Sequence, residues 1–221
     1  MIKYLFLGLF TVFSLIHLYH SWTDDYAKRA LTKPFLLIFL LLYYLMATKN
    51  RNIYLVLALL TSWLGDVLLI PKGNKWFVAG GISFIFCHLF FALTYLGQIS
   101  YAKVNWLILL PIAIVLFTNA FKIIKAVKDN TPKSMLAPMY IYLLINSTMN
   151  SFAMMQVMSL RSRGAWIACI GALLFYISDC LLFLVRYHKD KDRIWKKHFL
   201  VMLTYLLGEF MITYGMLMIG G

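Results

Sequence analysis

Apolar residues fill this chain in long stretches, broken by short clusters of Lys, Arg, Asp, Asn, Pro and Gly. Those breaks predict eight helices, over about 2–20, 34–48, 53–70, 76–97, 105–121, 135–158, 165–186 and 198–219. Most approach the ~20 apolar residues that cross a bilayer core. The expected fold is therefore all-α: a polytopic membrane protein of eight transmembrane helices, forming a single domain over 1–221. The second run is the shortest, and Lys33-Pro34 at its head suits a helix start, since proline is tolerated in the first turn. No small-x-small cleavage site follows the first run at His17 to Trp22, so that run is expected to be a retained anchor rather than a secretory signal.

Charge sharpens this picture. Only 13% of the 221 residues are charged and 62% are hydrophobic, whereas a soluble domain carries about 25% charge. The formal net charge is +13. So apolar a chain has little surface for a phosphate-binding patch, so nucleic acid is not an expected partner. The expected partner is the lipid bilayer, with the positive charge facing anionic headgroups. Lys28, Arg29, Lys33, Lys72, Lys75, Lys122, Lys125, Lys128, Lys133, Arg186, Lys189, Lys191, Arg193, Lys196 and Lys197 fall in the odd-numbered loops, and only six basic residues fall elsewhere. The positive-inside rule then places those loops in the cytoplasm and both termini outside, in a plasma or bacterial inner membrane. Cys87, Cys169 and Cys180 sit in apolar runs and read as buried thiols, not a disulfide framework.

Three acids interrupt the predicted spans: Asp66, Asp179 and Glu209. A charge at mid-helix costs about 2.5–3.5 kcal/mol on insertion scales, and such residues face a bundle interior or a wet cavity. Asp66 stands five residues before Pro71 and Asp179 seven before Arg186, so both lie roughly 7–10 Å inside the same boundary at 1.5 Å per residue. Their surroundings echo each other. Leu64-Gly65-Asp66-Val67-Leu68-Leu69 and Ile177-Ser178-Asp179-Cys180-Leu181-Leu182 both read apolar, small, Asp, x, Leu, Leu. The two helices are four apart, as in a parallel 4+4 internal repeat. The bland alternative is a pair of helix-helix hydrogen-bonding groups beside small residues.

Other polar groups join them. His88 shares a face with Gly80 and Phe84, Asn146 stacks with Asn150, and Tyr205 lies one turn from Glu209. Glu209 is expected to be paired or protonated, since a bare carboxylate is costly to bury. Lys33, at the expected start of the second helix, would favour a phosphate together with the positive helix N-terminus. His17 and His20 offer two of the three or four ligands that zinc needs. No metal and no cofactor is expected.

These residues carry a resemblance. Thr32-Lys33-Pro34, Ser62-Trp63-Leu64-Gly65-Asp66-Val67-Leu68-Leu69, Gly80/Phe84/His88/Leu89, Tyr142/Met149/Ala153 and Gly171-Ala172-Leu173-Leu174-Phe175 with Ser178-Asp179 resemble, in order, segments of the YhhN family of lysoplasmalogenase-like membrane proteins. Tyr205 is a weaker match. Phe91 stands where the family often has Tyr, and Glu209 where its last helix commonly has Gln. The resemblance implies an eight-helix membrane hydrolase. Its substrate would be a lysophospholipid, cleaved at the vinyl ether bond of an alkenyl-glycerophosphoethanolamine or -choline to give a fatty aldehyde. Asp66 and Asp179 would be catalytic, with Lys33, His88, Asn146, Asn150, Ser178, Tyr205 and Glu209 in support.

Vinyl ether hydrolysis needs one carboxyl that holds a proton and one that is negative. Protonation of the β-carbon leaves an oxocarbenium-like cation, which water captures, as in paired-carboxylate glycosidases. A proton-coupled transporter is the rival reading of the same buried acids, and a non-catalytic scaffold is a third.

Overall fold

A computed structural model describes residues 2–220; Met1 and Gly221, the ends of the expected 1–221 unit, lie outside the described residues. The helices are α1 (Ile2–Trp22), α2 (Tyr26–Ala47), α3 (Ile53–Leu68), α4 (Asn74–Leu96), α5 (Trp106–Val127), α6 (Lys133–Leu160), α7 (Arg163–Tyr187) and α8 (Lys197–Gly220). No strand occurs among the described residues. Four helices start on a side-chain cap that accepts from the first free backbone N–H groups: Asp25 for α2, Asn52 for α3, Asn105 for α5 and Ser162 for α7. The Lys28 N–H holds the half-buried Asp25 carboxyl below the ordinary carboxylate range. This cap is therefore complete above the unfolded-state pKa and is lost as pH falls through the folded value.

One boundary corrects the sequence reading. α2 begins at Tyr26, not near residue 34, and Pro34 lies inside it. Asp25 supplies the N-cap that the Lys33-Pro34 pair seemed to mark. The helix forgoes only the bond from residue 34 to the Ala30 carbonyl. The Pro34 carbonyl in turn accepts from Trp63 Nε1 of α3 at 2.9 Å.

Six of these helices, α1, α2, α4, α5, α7 and α8, are long and apolar enough to cross a membrane, which is consistent with an integral membrane protein. α3 has 16 residues, ending just ahead of Pro71. α6 has 28, but Asn146, Ser147, Asn150, Ser151 and Gln156 lower its apolar character. The eight helices match the expected number, and length and composition alone count six crossings.

Apolar side chains such as Leu5, Leu15, Leu107, Leu110 and Ile114 are exposed on the outside. The interior, by contrast, holds Asp66, His88, Asn146, Asp179 and Glu209, each no more than 4% exposed. Such a distribution suits hydrocarbon outside and a hydrogen-bonded centre within.

Consecutive helices pack as pairs, and α7 and α8 meet most closely. Small residues permit this, as in other membrane bundles. A Cβ on Gly171 would lie 2.8 Å from the Gly208 carbonyl oxygen, and one on Gly215 would lie 2.6 Å from Ala168 N. Gly171→Val should therefore sharply lower the yield of monodisperse protein in detergent. Gly8→Val, where a Cβ meets nothing within 4 Å, should leave it unchanged.

Candidate active site

A cavity of ≈ 630 Å³ opens between the α1–α2, α3–α4 and α7–α8 connections and runs inward to Asp66 and Asp179. Arg29 and Lys33 from the first turns of α2, Lys72 between α3 and α4, and Lys191 and Lys197 at the approach to α8 thus gather around it. Its wall includes Arg29 and Lys33 of α2, Phe84 of α4, Ser178 and Arg186 of α7, and Tyr205 of α8.

Asp66 and Asp179 are 2% and 4% exposed, and each is held by two polar partners. Asp66 Oδ1 lies 3.0 Å from the Lys33 ammonium, and Oδ2 accepts from Tyr205 Oη at 2.7 Å. Asp179 Oδ2 meets His88 Nε2 at 2.9 Å and accepts from Asn146 Nδ2 at 2.7 Å. The surroundings differ in kind. Asp66 is in an ion pair, whereas Asp179 has an imidazole and an amide, which can hold it in either protonation state.

Lys33 needs a second correction. It sits two turns inside α2, so no helix N-terminus assists it, and its ammonium is spent on Asp66 rather than kept free at the surface. Asn150 acts one step back. Its amide donates to Asn146 Oδ1 at 2.9 Å, which turns the Asn146 amide nitrogen toward Asp179. Ser178 lines the cavity, but its hydroxyl donates to the Val201 carbonyl at 2.9 Å and ties α7 to α8. Glu209 is fully buried and outside the cavity wall, bonded to Ser62 Oγ. Ser62 in turn lies 2.9 Å from Tyr205 Oη.

His17 lines the outer cavity with Nδ1 2.7 Å from Thr32 Oγ1. Among the described residues, no group of three or more His, Cys, Asp or Glu side chains is placed to hold a metal.

Sequence reasoning missed two contributors. Ser62 is one turn before Asp66 on α3, a spacing that puts both on one face, and it links Tyr205 to Glu209. Arg29 read as a loop charge because α2 was expected to start later; it lies on the first turns of that helix and faces the cavity.

The aromatic lining closes the inner end. The Phe84 ring stands edge-on to Phe175 and Tyr205, with centroids 6.1 and 6.0 Å away, and Gly65 makes room for it, since a Cβ there would lie 2.7 Å from the ring. Phe84→Ala should enlarge the floor and admit water. The expected result is a lower thermal midpoint in detergent, with the purified protein still monodisperse.

In comparison with known families, the YhhN family matches the chain over residues 28–216. No curated protein and no solved structure matches it.

Proposed function

The chain belongs to the YhhN family, and on that premise we propose that it is an intramembrane hydrolase that opens the vinyl ether bond of a lysoplasmalogen. One observation carries the reading: two nearly buried aspartates end a single cavity, one beside an ammonium and the other beside an imidazole and an amide. The alkenyl chain would lie along the apolar inner wall, with its phosphate among the cations of the mouth.

In this reading Asp66, when it carries a proton, is the general acid. The adjacent Lys33 ammonium stabilises the carboxylate that remains after the transfer. It adds to the β-carbon, and electrons from the ether oxygen form the oxocarbenium-like cation. Asp179, positioned by His88 and Asn146, stabilises that cation and takes a proton from the attacking water. The hemiacetal so formed collapses to aldehyde and glycerol hydroxyl.

The finer architecture belongs to the same proposal. We read all eight helices as crossings, related as a parallel 4+4 duplication, with the cavity mouth and odd connections cytoplasmic and both termini outside. The contacts support this. Asp66 on α3 takes its donors from α2 and α8, and Asp179 on α7 takes its own from α6 and α4. Exchange of the halves maps one set of helices onto the other.

The test is purified protein in detergent with an alkenyl lysophospholipid and continuous aldehyde detection. Turnover supports the hydrolase. No aldehyde from any vinyl ether lysolipid, with proton-driven uptake in liposomes instead, would establish the transporter.

A further inference from the structure

We propose that the mouth of the cavity takes the phosphate of a single-chain lipid whose headgroup carries no amine. This rests on the lipid-hydrolase reading and names its substrate class. Six Lys and Arg side chains line the cavity, Arg29, Lys33, Lys72, Arg186, Lys191 and Lys197; Arg29, Lys33 and Lys197 are paired with Asp24, Asp66 and Asp192, and among the described residues Lys72, Arg186 and Lys191 have no carboxylate partner. Asp66 and Asp179 lie at the inner end and already have two polar partners each.

Arg29 points to an anion directly. Its Nη2 bonds Asp24 at 3.0 Å, while its Nε is buried without a partner, a donor that a phosphate oxygen would satisfy. An ammonium headgroup finds a poorer seat, because the carboxylates nearest the mouth, Asp24 and Asp192, are already paired with Arg29 and Lys197. Quaternary or primary amines are bound by free carboxylates or open aromatic faces. Here Lys72 covers the Tyr26 ring at 4.5 Å, and Arg186 covers Phe77 at 3.9 Å. The fitting headgroup is a phosphomonoester, or a phosphodiester to an uncharged alcohol, rather than choline or ethanolamine.

Saturated alkyl analogues, which cannot be cleaved, test this without reference to turnover. In uncharged detergent, 1-alkyl-glycerol-3-phosphate and 1-alkyl-glycerophosphoglycerol should bind at least about tenfold more tightly than the choline and ethanolamine analogues. Arg29→Gln combined with Arg186→Gln should erase the difference. Equal or tighter binding of the amine headgroups overturns the proposal, and so does free glycerol phosphate binding as tightly as the lipid. A failure of the hydrolase reading appears elsewhere, as absence of aldehyde from a vinyl ether.

A proton count carries a second inference. Asp66, Tyr205, Ser62 and Glu209 are joined in series by three hydrogen bonds. Tyr205 and Ser62 bring one hydroxyl hydrogen each. If Tyr205 donates to Asp66 and Ser62 to Glu209, two oxygens meet between them with no hydrogen. A third proton fills the series, and only an end carboxyl can hold it. We infer that Asp66 and Glu209 share one proton through the two hydroxyls.

With the proton on Glu209, its carboxyl donates to Ser62, Ser62 to Tyr205, and Tyr205 to the Asp66 carboxylate. Transfer breaks one O–H bond and forms another at each step, leaving Asp66 protonated and Glu209 negative with no net proton change. Lys33 favours the negative charge on Asp66, so Glu209 holds the proton until substrate enters. Infrared spectroscopy of the purified protein at neutral pH tests this. A protonated-carboxyl C=O band should be present and lost in the near-isosteric Glu209→Gln. In that variant the alkaline limb of kcat should move to lower pH with KM unchanged, because Asp66 must then draw its proton from bulk water. Absence of the band in the parent protein, or its survival in Glu209→Gln, overturns the inference.

Discussion

Asp66→Asn and Asp179→Asn should each lower vinyl ether turnover by about a thousandfold or more while leaving a monodisperse, thermally cooperative protein. General acid or base catalysis contributes about 10²–10⁴-fold, and each aspartate here also serves the charge of an oxocarbenium-like state. Asparagine keeps the shape and can still accept from Tyr205 or His88, but it cannot deliver a proton to carbon or balance a cation. The two losses should not add, because both groups act on one transition state. The double variant should therefore resemble the worse single one. Either single variant keeping a tenth or more of the parent rate would remove the two-carboxylate mechanism, and the binding of saturated alkyl analogues would show whether the cavity survived. Asp129→Asn, a change to an exposed carboxylate between α5 and α6 and outside the cavity wall, is the control that should leave turnover near the parent value.

The helices were legible because their signal is long and redundant. Runs of twenty apolar residues leave few alternatives, and observed boundaries mostly fall within a few residues of the expected ones. α2 failed for a local reason. Tyr26 to Lys33 is polar enough to read as a loop, and Pro34 looks like a first-turn proline, so the Asp25 cap was passed over. Its cost reached the site, since Lys33 and Arg29 moved from a surface loop to the inside of a helix. α5 was likewise expected to end early, at 121, because Lys122 and Lys125 read as loop charges; the helix continues to Val127, with the lysines on its last turns.

The two aspartates could be found from sequence because burying a carboxylate in an apolar span needs a reason, and the repeated small-Asp-x-Leu-Leu pattern placed both at one depth. Their partners could not be assigned in this way. Which donor meets which carboxylate depends on helix rotation and neighbourhood, and that Lys33 and Tyr205 go to one while His88 and Asn146 go to the other is visible only in three dimensions. Ser178 illustrates the limit: it matches the motif beside Asp179, yet its hydroxyl is used on the Val201 carbonyl. Conversely Ser62, quoted only as part of a motif, joins the network.

Lys33→Met should be the most destabilising single change at the site. The ammonium and the Asp66 carboxylate are 15% and 3% exposed as side chains, and removing one partner of a buried ion pair leaves an uncompensated charge, at a cost of about 3–5 kcal/mol. Methionine fills nearly the volume of the lysine stem, so the loss reports the charge rather than a void. The decisive measurement is the pair of variants. Adding Asp66→Asn to Lys33→Met removes the stranded charge and should restore most of the thermal stability, although not the turnover. If Asp66 were instead neutral in the resting protein, Lys33→Met would cost little, and the second substitution would recover nothing. The same cycle bears on the shared proton. With Lys33 gone, Asp66 becomes the better seat for the proton and Glu209 the charged end. Part of the carboxyl infrared band should then move from the Glu209 environment to that of Asp66, and Asp66→Asn, not Glu209→Gln, should abolish that part.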